Sequence, residues 1–416
     1  MANLTDKKYR ETLDYIYNLH SSKSILGLER IKKALKNLGS PEKSFKSIHV
    51  AGTNGKGSVV AMISSVLKES GLKVGMYTSP HLVDFRERIQ INGRKITKKD
   101  VVELSEEIKN IDSDMTYFEF VTAMAFLYFK KKKVDYGVIE VGLGGRIDAT
   151  NVILPELCVI TNVSNDHEEI LGSHVEQIAA EKAGIIKEGI PVVTDVKDGV
   201  KIVVWDYAKS MNAPFITVED KAVRLDVSDE KQVIEISGKK YGLPLLGNFQ
   251  LDNVSIALKA LEILKNDEKK ITEKSIKSGI EKTKWPGRMQ VISRNPLIII
   301  DGAHNIEGVR SLINSIKSMY EGKIVPVIGI KKTKNYREML KEFEKIADFI
   351  IFSKSNVEPA DPKELLECVS GHGIAVEDIR KAIGFAKYLC RDEGMILITG
   401  SLYFVGNVME QLKIKA

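Results

Sequence analysis

The stretch that decides the fold lies near the N-terminus, where residues 48–58 read IHVAGTNGKGS. A short β-branched run leads into a glycine-rich loop, and helical periodicity follows, with Val59, Met62, Ile63 and Val66 on one face. The order of strand, glycine-rich loop and helix is typical of a phosphate-binding loop. We therefore predict an α/β domain that binds phosphate where the loop meets the helix.

The loop supplies the groups that a nucleotide phosphate needs. Lys56 carries a full positive charge, the backbone offers N–H groups, and the Ser58 hydroxyl can bind Mg²⁺. Gly57 separates Lys56 from Ser58, whereas an ordinary Walker A loop has Lys next to Ser or Thr, so a regular NTPase is less favoured. A glycine turn without function is the weaker alternative. The predicted nucleotide-binding residues here are Gly52, Thr53, Asn54, Gly55, Lys56, Gly57 and Ser58.

Strand-like and helical segments alternate outward from this loop. The apolar strand-like runs are residues 46–51, 73–78, 135–141, 157–163 and 190–195, followed later by 297–301, 324–330, 349–353 and 395–399. Residues 222–245 instead alternate with period two, which predicts a small antiparallel patch. We predict an α/β protein with two domains: a doubly wound P-loop domain that includes this patch (1–293), and a smaller Rossmann-like domain (294–416).

Composition limits the class of protein. The 416 residues are 43% hydrophobic and 28% charged with a net charge of +6, as in an ordinary globular protein. Cys158, Cys368 and Cys390 share no C-x-x-C spacing, which argues against disulfides and zinc. Because no long apolar run is present, we predict a cytoplasmic protein with no membrane partner. The positive charge is mild and spread along the chain, so we predict no nucleic-acid partner. A basic run at 130–133 is better explained as a solvated helix end than as a nucleic-acid patch.

Polar side chains follow further predicted strands. Glu140 ends one strand and His167 follows another, and strand carboxyl ends line the ligand crevice of a doubly wound sheet. Glu140 offers Mg²⁺ an oxygen ligand, and a buried structural role is its alternative. From spacing alone, His167 is better explained as a surface or core histidine and Lys182 as an exposed helix lysine. If the apolar neighbours of Lys182 bury it, its pKa falls and the neutral amine can take up CO₂.

The second predicted domain repeats the pattern of a strand followed by polar groups. Asp301 could bind a ribose hydroxyl, and His304 and Arg288 could bind phosphate. Each is weak evidence alone, because a turn aspartate and a surface arginine are commonplace.

Together these motifs resemble one family across nearly the whole chain: the folylpolyglutamate synthases, including their bifunctional dihydrofolate synthase form, among the Mur-type amide ligases. The resemblance rests on the motifs HVAGTNGKGS (49–58), TSPHL (78–82), RERI (86–89), FEFVTA (118–123), residues 140–151, NDH (165–167), EKAGII (181–186), GNFQ (247–250), PGR (286–288) and DGAHN (301–305).

The resemblance implies ATP and two Mg²⁺ ions as cofactors, with K⁺ left open as a further cation. It assigns Lys56 to the phosphates, Ser58 and Glu140 to one Mg²⁺, and Glu140, His167 and a carbamylated Lys182 to the second. It adds Asn248, Arg288, Asp301 and His304 to the nucleotide contacts. Apart from the resemblance, His304 and Asp166 are the candidates for the general base that the amine needs. The implied substrate residues are Ser79, Pro80, His81, Arg86, Phe118, Glu119, Arg146, Asp148 and Ala149.

The resemblance further implies a monomer that uses L-glutamate with dihydropteroate or a folate. Residues 146–149 read RIDA, as in bifunctional members, which favours both activities over polyglutamylation alone. The expected reaction passes through an acyl phosphate. The alternatives are a Mur-type ligase for another acid, a regulatory P-loop NTPase, and a nucleotide-binding module without catalysis.

Overall fold

The computed structural model describes residues 2–19, 27–111, 114–347, 349–391 and 394–414. They form two compact units. The first comprises the described residues of Met1–Ser79, Arg86–Lys221 and Asn253–Lys282, and the second those of Pro80–Phe85, Ala222–Asp252 and Thr283–Ala416.

The first unit is built on an eight-stranded sheet within the described residues. Its strands are β1 (Lys46–Ala51), β2 (Val74–Tyr77), β3 (Ile89–Ile91), β4 (Arg94–Lys95), β5 (Tyr136–Glu140), β6 (Leu157–Ile160), β7 (Val192–Thr194) and β8 (Phe215–Thr217). The order is β4-β3-β2-β5-β1-β6-β7-β8, and β3 and β4 are joined antiparallel at one edge. The other pairs are parallel, which brings the carboxyl ends of β5, β1 and β6 to one side of the sheet.

Helices flank this sheet and bury its faces. They are α1 (Ala2–Asn18), α2 (Glu29–Asn37), α3 (Lys56–Glu69), α4 (Lys98–Lys109), α5 (Tyr117–Lys132), α6 (Glu168–Leu171), α7 (Val175–Ala183), α8 (Asp198–Ser210), α10 (Glu273–Glu281) and most of α9 (Phe249–Asp267). The α3 helix follows the phosphate loop and packs against α10, where the Ser65 hydroxyl donates to the Gly279 carbonyl at 2.7 Å. That packing fixes the position of α3, whose N-terminus adjoins the phosphate loop.

The second unit contains two sheets. An antiparallel sheet is formed by β9 (Val223–Val227), β10 (Gln232–Ile236) and β11 (Lys239–Leu243). The larger sheet has the order β12-β13-β17-β14-β15-β16 and is parallel apart from β12. Its strands are β12 (Gln290–Arg294), β13 (Leu297–Ile300), β14 (Ile324–Ile328), β15 (Phe349–Phe352), β16 (His372–Ala375) and β17 (Met395–Thr399).

Helices cover the larger sheet on both faces. They are α11 (Ile306–Lys317), α12 (Tyr336–Phe343), α13 (Pro362–Leu366), α14 (Ile379–Cys390) and α15 (Leu402–Gln411). Two apolar clusters lie on opposite faces because side chains alternate along a strand: Ile299 belongs to one cluster, and Ile298 and Ile300 to the other. This is the Rossmann-like arrangement that the sequence predicts.

The predicted fold class is confirmed: two α/β parts are present, and residues 222–245 form the antiparallel patch. The sequence puts one domain boundary after residue 293, whereas the units change at Lys282 and the second also takes in Pro80–Phe85 and Ala222–Asp252. Among the described residues, none of the helices has the length and apolar character needed to span a bilayer.

Candidate active site

The phosphate loop connects β1 to α3 and depends on two glycines. Gly52 has φ +149° and Gly55, the N-cap of α3, has φ +83°, both in the region that favours glycine. A Cβ atom at Gly52 would overlap the Thr161 hydroxyl, and one at Gly55 would overlap the Asn253 side-chain oxygen. The loop therefore needs glycine at both positions for its backbone shape and for the space around it.

The end of the neighbouring strand β6 fixes the loop. The Thr53 N–H donates to the Asn162 carbonyl at 2.9 Å, and the Asn54 N–H donates to Asn162 Oδ1 at 2.8 Å. The Thr161 hydroxyl donates to the Asn54 carbonyl at 2.6 Å. The sequence alone assigns no role to Thr161, Asn162 or Asn253, although Asn162 begins the polar stretch that leads to His167.

Two lysine ammonium groups share one backbone oxygen of the loop. Lys56 Nζ donates to the Gly52 and Thr53 carbonyls at 3.0 and 3.1 Å, and Lys182 Nζ donates to the Gly52 carbonyl at 3.1 Å. Lys182 is only 4% exposed, so burial lowers its pKa to about 7, and the charge of Lys56 acts in the same direction. The charges of Asp166 and Asp148 oppose that shift. The charge of Lys56 and the buried amino group of Lys182 thus lie together where phosphate is expected.

Glu140 ends β5 directly beside the loop strand. It pairs in register with Val50 of β1, is 5% exposed, and its Oε2 accepts the Ser79 N–H at 2.9 Å. Ser58 lies in the first turn of α3 and is 2% exposed. A carboxylate at the end of β5 and a hydroxyl in the first turn of α3 are hard oxygen donors that suit Mg²⁺.

His167 lies after β6 with φ +54°, and its backbone N–H donates to Asp166 Oδ1 at 3.0 Å. Its side chain is 39% exposed, with Nε2 3.9 Å from that same carboxylate oxygen. No group of three His, Cys, Asp or Glu side chains that could hold a metal occurs in the described part of the chain. The predicted set contains only two such residues, Glu140 and His167, beside Ser58 and a modified lysine. That these four residues bind metal stays a prediction.

The loop at 142–151 is organised by Asp148. Its Oδ2 accepts the N–H groups of Gly142 and Leu143 at 3.0 and 2.9 Å. Its Oδ1 accepts the Thr150 N–H at 2.9 Å and also the Thr150 hydroxyl. Burial raises the pKa of Asp148, while these four hydrogen bonds lower it. The carboxylate thus holds the backbone that follows Glu140.

The other predicted substrate residues of the first unit have contacts within the protein. Arg146 Nε donates to Glu181 Oε1 at 3.1 Å on the surface, and Ala149 is buried.

Glu119 caps α5 and forms an ion pair with Arg30 at 3.1 Å. A Cβ atom at Gly142 would overlap the Phe118 ring, so that ring lies directly on the backbone after Glu140. Arg86 belongs to a 3₁₀ turn, Phe85–Arg88. Binding of substrate by these residues stays a prediction.

The Ser79-Pro80-His81 segment is divided, because Ser79 belongs to the first unit and the other two residues belong to the second. The ring centroid of His81 lies 6.2 Å from that of Phe85.

In the second unit the predicted nucleotide residues lie on three segments. Asp301, after β13, is 2% exposed; its oxygens accept the N–H groups of Met289 and Ala303 at 2.9 and 2.8 Å. Burial raises its pKa, and the charge of Arg288 opposes that shift. His304 Nδ1 is 2.9 Å from the Gly302 carbonyl.

Asn248 lies just before α9 and is held from two sides. Its Oδ1 accepts from Arg224 at 2.9 Å, and its backbone N–H donates to the Ser315 hydroxyl at 2.8 Å. Since guanidinium groups only donate, the Asn248 amide oxygen faces Arg224 and its NH₂ group is turned elsewhere.

Two family descriptions match the sequence. Residues 50–261 match the Mur ligase middle domain, and residues 287–402 match the glutamate ligase domain of Mur ligases. The dihydrofolate synthase/folylpolyglutamate synthase of Bacillus subtilis is 38% identical over 93% of this chain and 95% of its own length.

Solved structures are similar over nearly their whole length. Mycobacterium tuberculosis folylpolyglutamate synthase complexed with ADP has a TM-score of 0.91 at 28% identity, covering 99% of both chains. Escherichia coli FolC in complex with DHPP and ADP has a TM-score of 0.87 at 30% identity, covering 97% of both chains.

Proposed function

The chain belongs to the family of dihydrofolate and folylpolyglutamate synthases within the Mur ligases, and from this premise we propose the reaction in detail. It is an ATP-dependent ligase that joins L-glutamate to folates. We propose that it acts on dihydropteroate as the first acceptor and then extends folates by γ-linked glutamates. The RIDA sequence at 146–149 supports the bifunctional form over polyglutamylation alone.

One observation carries the proposal: Lys56 and Lys182 converge on the Gly52 carbonyl beside the buried Glu140 carboxylate. Lys56 provides positive charge for a transferring phosphoryl group. The buried Lys182 provides the amine for the carbamate that we propose below. A neighbouring carboxylate provides an oxygen ligand for the accompanying cation. A structural turn has no need of two converging lysine side chains, one of them buried.

The first step is phosphoryl transfer. An oxygen of the acceptor carboxylate forms a bond to the γ-phosphorus of ATP while the bond from that phosphorus to the bridging oxygen breaks, so ADP leaves and an acyl phosphate remains. Lys56 can exchange the Gly52 and Thr53 carbonyls for the phosphate oxygens, because a charged acceptor forms a stronger hydrogen bond than a neutral one.

The second step forms the amide. The neutral glutamate amine attacks the acyl carbon, the bond from that carbon to the phosphate oxygen breaks, and phosphate leaves. The nitrogen then loses a proton, for which His304 and Asp166 are the candidate acceptors.

Two Mg²⁺ ions and a modified lysine belong to the proposal. Ser58 and Glu140 would hold one ion, and Glu140, His167 and a carbamate on Lys182 would hold the other. The buried hydroxyl and carboxylate fit a hard cation. When bound, Mg²⁺ neutralises phosphate charge. A lysine whose pKa is lowered to about 7 fits carbamate formation, since only the neutral amine adds to CO₂. K⁺ and the monomeric state remain predictions.

A substrate panel tests the function. The purified protein is supplied with ATP, Mg²⁺ and glutamate together with dihydropteroate, a reduced folate, or an acid of the cell-wall type, and products are identified by mass. We expect one glutamate on dihydropteroate and several on the folate. Addition to the folate alone would leave only the polyglutamylating activity, and addition to neither would overturn the folate assignment.

A further inference from the structure

A buried hydrogen-bonded chain leads from the phosphate-loop strand to the loop that follows Glu140. His49 on β1 is fully buried, and its Nε2 lies 2.8 Å from the Thr150 hydroxyl oxygen. That hydroxyl is in turn bonded to Asp148 Oδ1, whose carboxylate binds the N–H groups of Gly142 and Leu143. This series of hydrogen bonds therefore joins His49 to Thr150, which lie 101 positions apart in sequence.

The direction of each hydrogen bond follows from the chemistry of the groups. An ionised carboxylate only accepts, so the Thr150 hydroxyl proton points to Asp148. The hydroxyl oxygen must then accept from His49, which requires the proton on Nε2. His49 Nδ1 is buried and has no hydrogen-bond partner within the described part of the chain, so Thr150 alone selects the tautomer. Burial lowers the pKa of His49 to about 3, so the ring stays neutral.

The Asp148 carboxylate has no spare acceptor position. Its two oxygens offer about four lone-pair sites, and four donors occupy them: the N–H groups of Gly142, Leu143 and Thr150, and the Thr150 hydroxyl. Each bond to a charged acceptor is stronger than a neutral one. The carboxylate thus fixes the backbone on which the Phe118 ring lies.

We propose that His49 and Thr150 are positioning residues that orient Asp148 and thereby shape the loop at 142–151 for the acceptor acid. The inference rests on the proposed function, since this loop is the proposed acceptor segment. The phosphate loop is fastened separately, through Thr161 and Asn162. Loss of the His49–Thr150 contact therefore weakens acceptor binding and leaves ATP binding unchanged.

The test uses Thr150→Val, which keeps the side-chain shape but removes the hydroxyl, with Thr150→Ser as the conservative variant. We expect Thr150→Val to raise KM for dihydropteroate by about tenfold or more, the value of one hydrogen bond to a charged group, with KM for ATP unchanged. Thr150→Ser keeps the hydroxyl, so its KM for dihydropteroate should stay close to that of the wild-type protein. His49→Leu should raise KM for dihydropteroate as much as Thr150→Val does. The amide of His49→Gln can still donate a hydrogen bond, so its KM should lie between those of the wild-type protein and His49→Leu.

A matched control is Thr12→Val, since Thr12 is another buried threonine. Among the described residues, its hydroxyl donates to a carbonyl of its own helix, that of Lys8, at 2.8 Å. It should lower thermal stability without changing either KM. If Thr150→Val behaves like Thr12→Val, or if it raises both KM values equally, the positioning role is wrong. Wild-type protein that ligates no acid at all would instead contradict the proposed function, so the two failures are distinguishable.

Discussion

At the scale of single residues, the first prediction concerns the effect of replacing Lys56 on the rate of ADP formation. Replacing Lys56 with Met removes the charge that we propose for phosphate binding but keeps an apolar stem of similar length. We expect kcat for ADP formation to fall about 100- to 1000-fold, the usual effect of losing one preorganised donor. A coupled assay for ADP measures it. Lys68→Met, at the exposed far end of the same helix, is the control and should retain full activity.

Lys182 makes a second prediction, which concerns pH. Its pKa of about 7 lies below the ordinary value of 10.5, so the neutral amine predominates only above about pH 7. We expect protein equilibrated with ¹³C-labelled CO₂ to show a carbamate signal that increases from pH 6 to pH 8. Lys182→Arg should lack this signal, because a guanidinium stays protonated. A wild-type spectrum identical to that of the Arg variant at pH 8 would contradict carbamate formation.

The sequence could predict these residues only in part. Glycine spacing and Lys56 indicate the phosphate loop because local order is sufficient for that motif. The partners of the loop are not local: Asn162 lies 108 residues from Asn54, and Lys182 lies 130 residues from Gly52. Glu119 has a contact of the same kind with Arg30, and no local pattern reveals it. Tertiary contacts determine what these side chains face.

At the scale of elements, strands within continuous apolar runs were predictable, including the three-residue β7, and strands without such a run were mostly missed. The strands β1, β5, β14 and β17 are buried along nearly their whole length, and continuous apolar runs mark them in the sequence. β4 has only two residues, and β16 reads HGIA, so neither carries a periodic signal. β12 is antiparallel and partly exposed, and the sequence analysis did not assign it to a strand.

The prediction at the scale of elements concerns the contact between α3 and α10. A Cβ atom at Gly279 would overlap the Val66 backbone, so Gly279→Ala must push α10 away from the helix that carries the phosphate loop. We expect a loss of about 1–3 kcal/mol in unfolding free energy, the usual cost of overpacking. Thermal unfolding followed by circular dichroism measures the change.

Gly199→Ala is the control for that change. Gly199 lies in α8 of the same unit, and its added Cβ would meet only Glu176 at an ordinary 3.5 Å. It should be neutral or stabilise by up to about 1 kcal/mol. Equal melting temperatures for the two variants would show that α10 can move away without cost.

At the scale of the whole molecule, the last prediction concerns the order of chemical steps. If ATP activates the acceptor before the amine attacks, the acyl phosphate must form in the absence of glutamate. Hydroxylamine should then capture it as a hydroxamate when ATP and dihydropteroate are present, and mass detection should show one hydroxamate for each ADP. Omitting dihydropteroate should abolish both products, and Lys56→Met should lower both equally. ADP release at an unchanged rate without dihydropteroate would instead indicate a simple NTPase, because water would then be the phosphoryl acceptor.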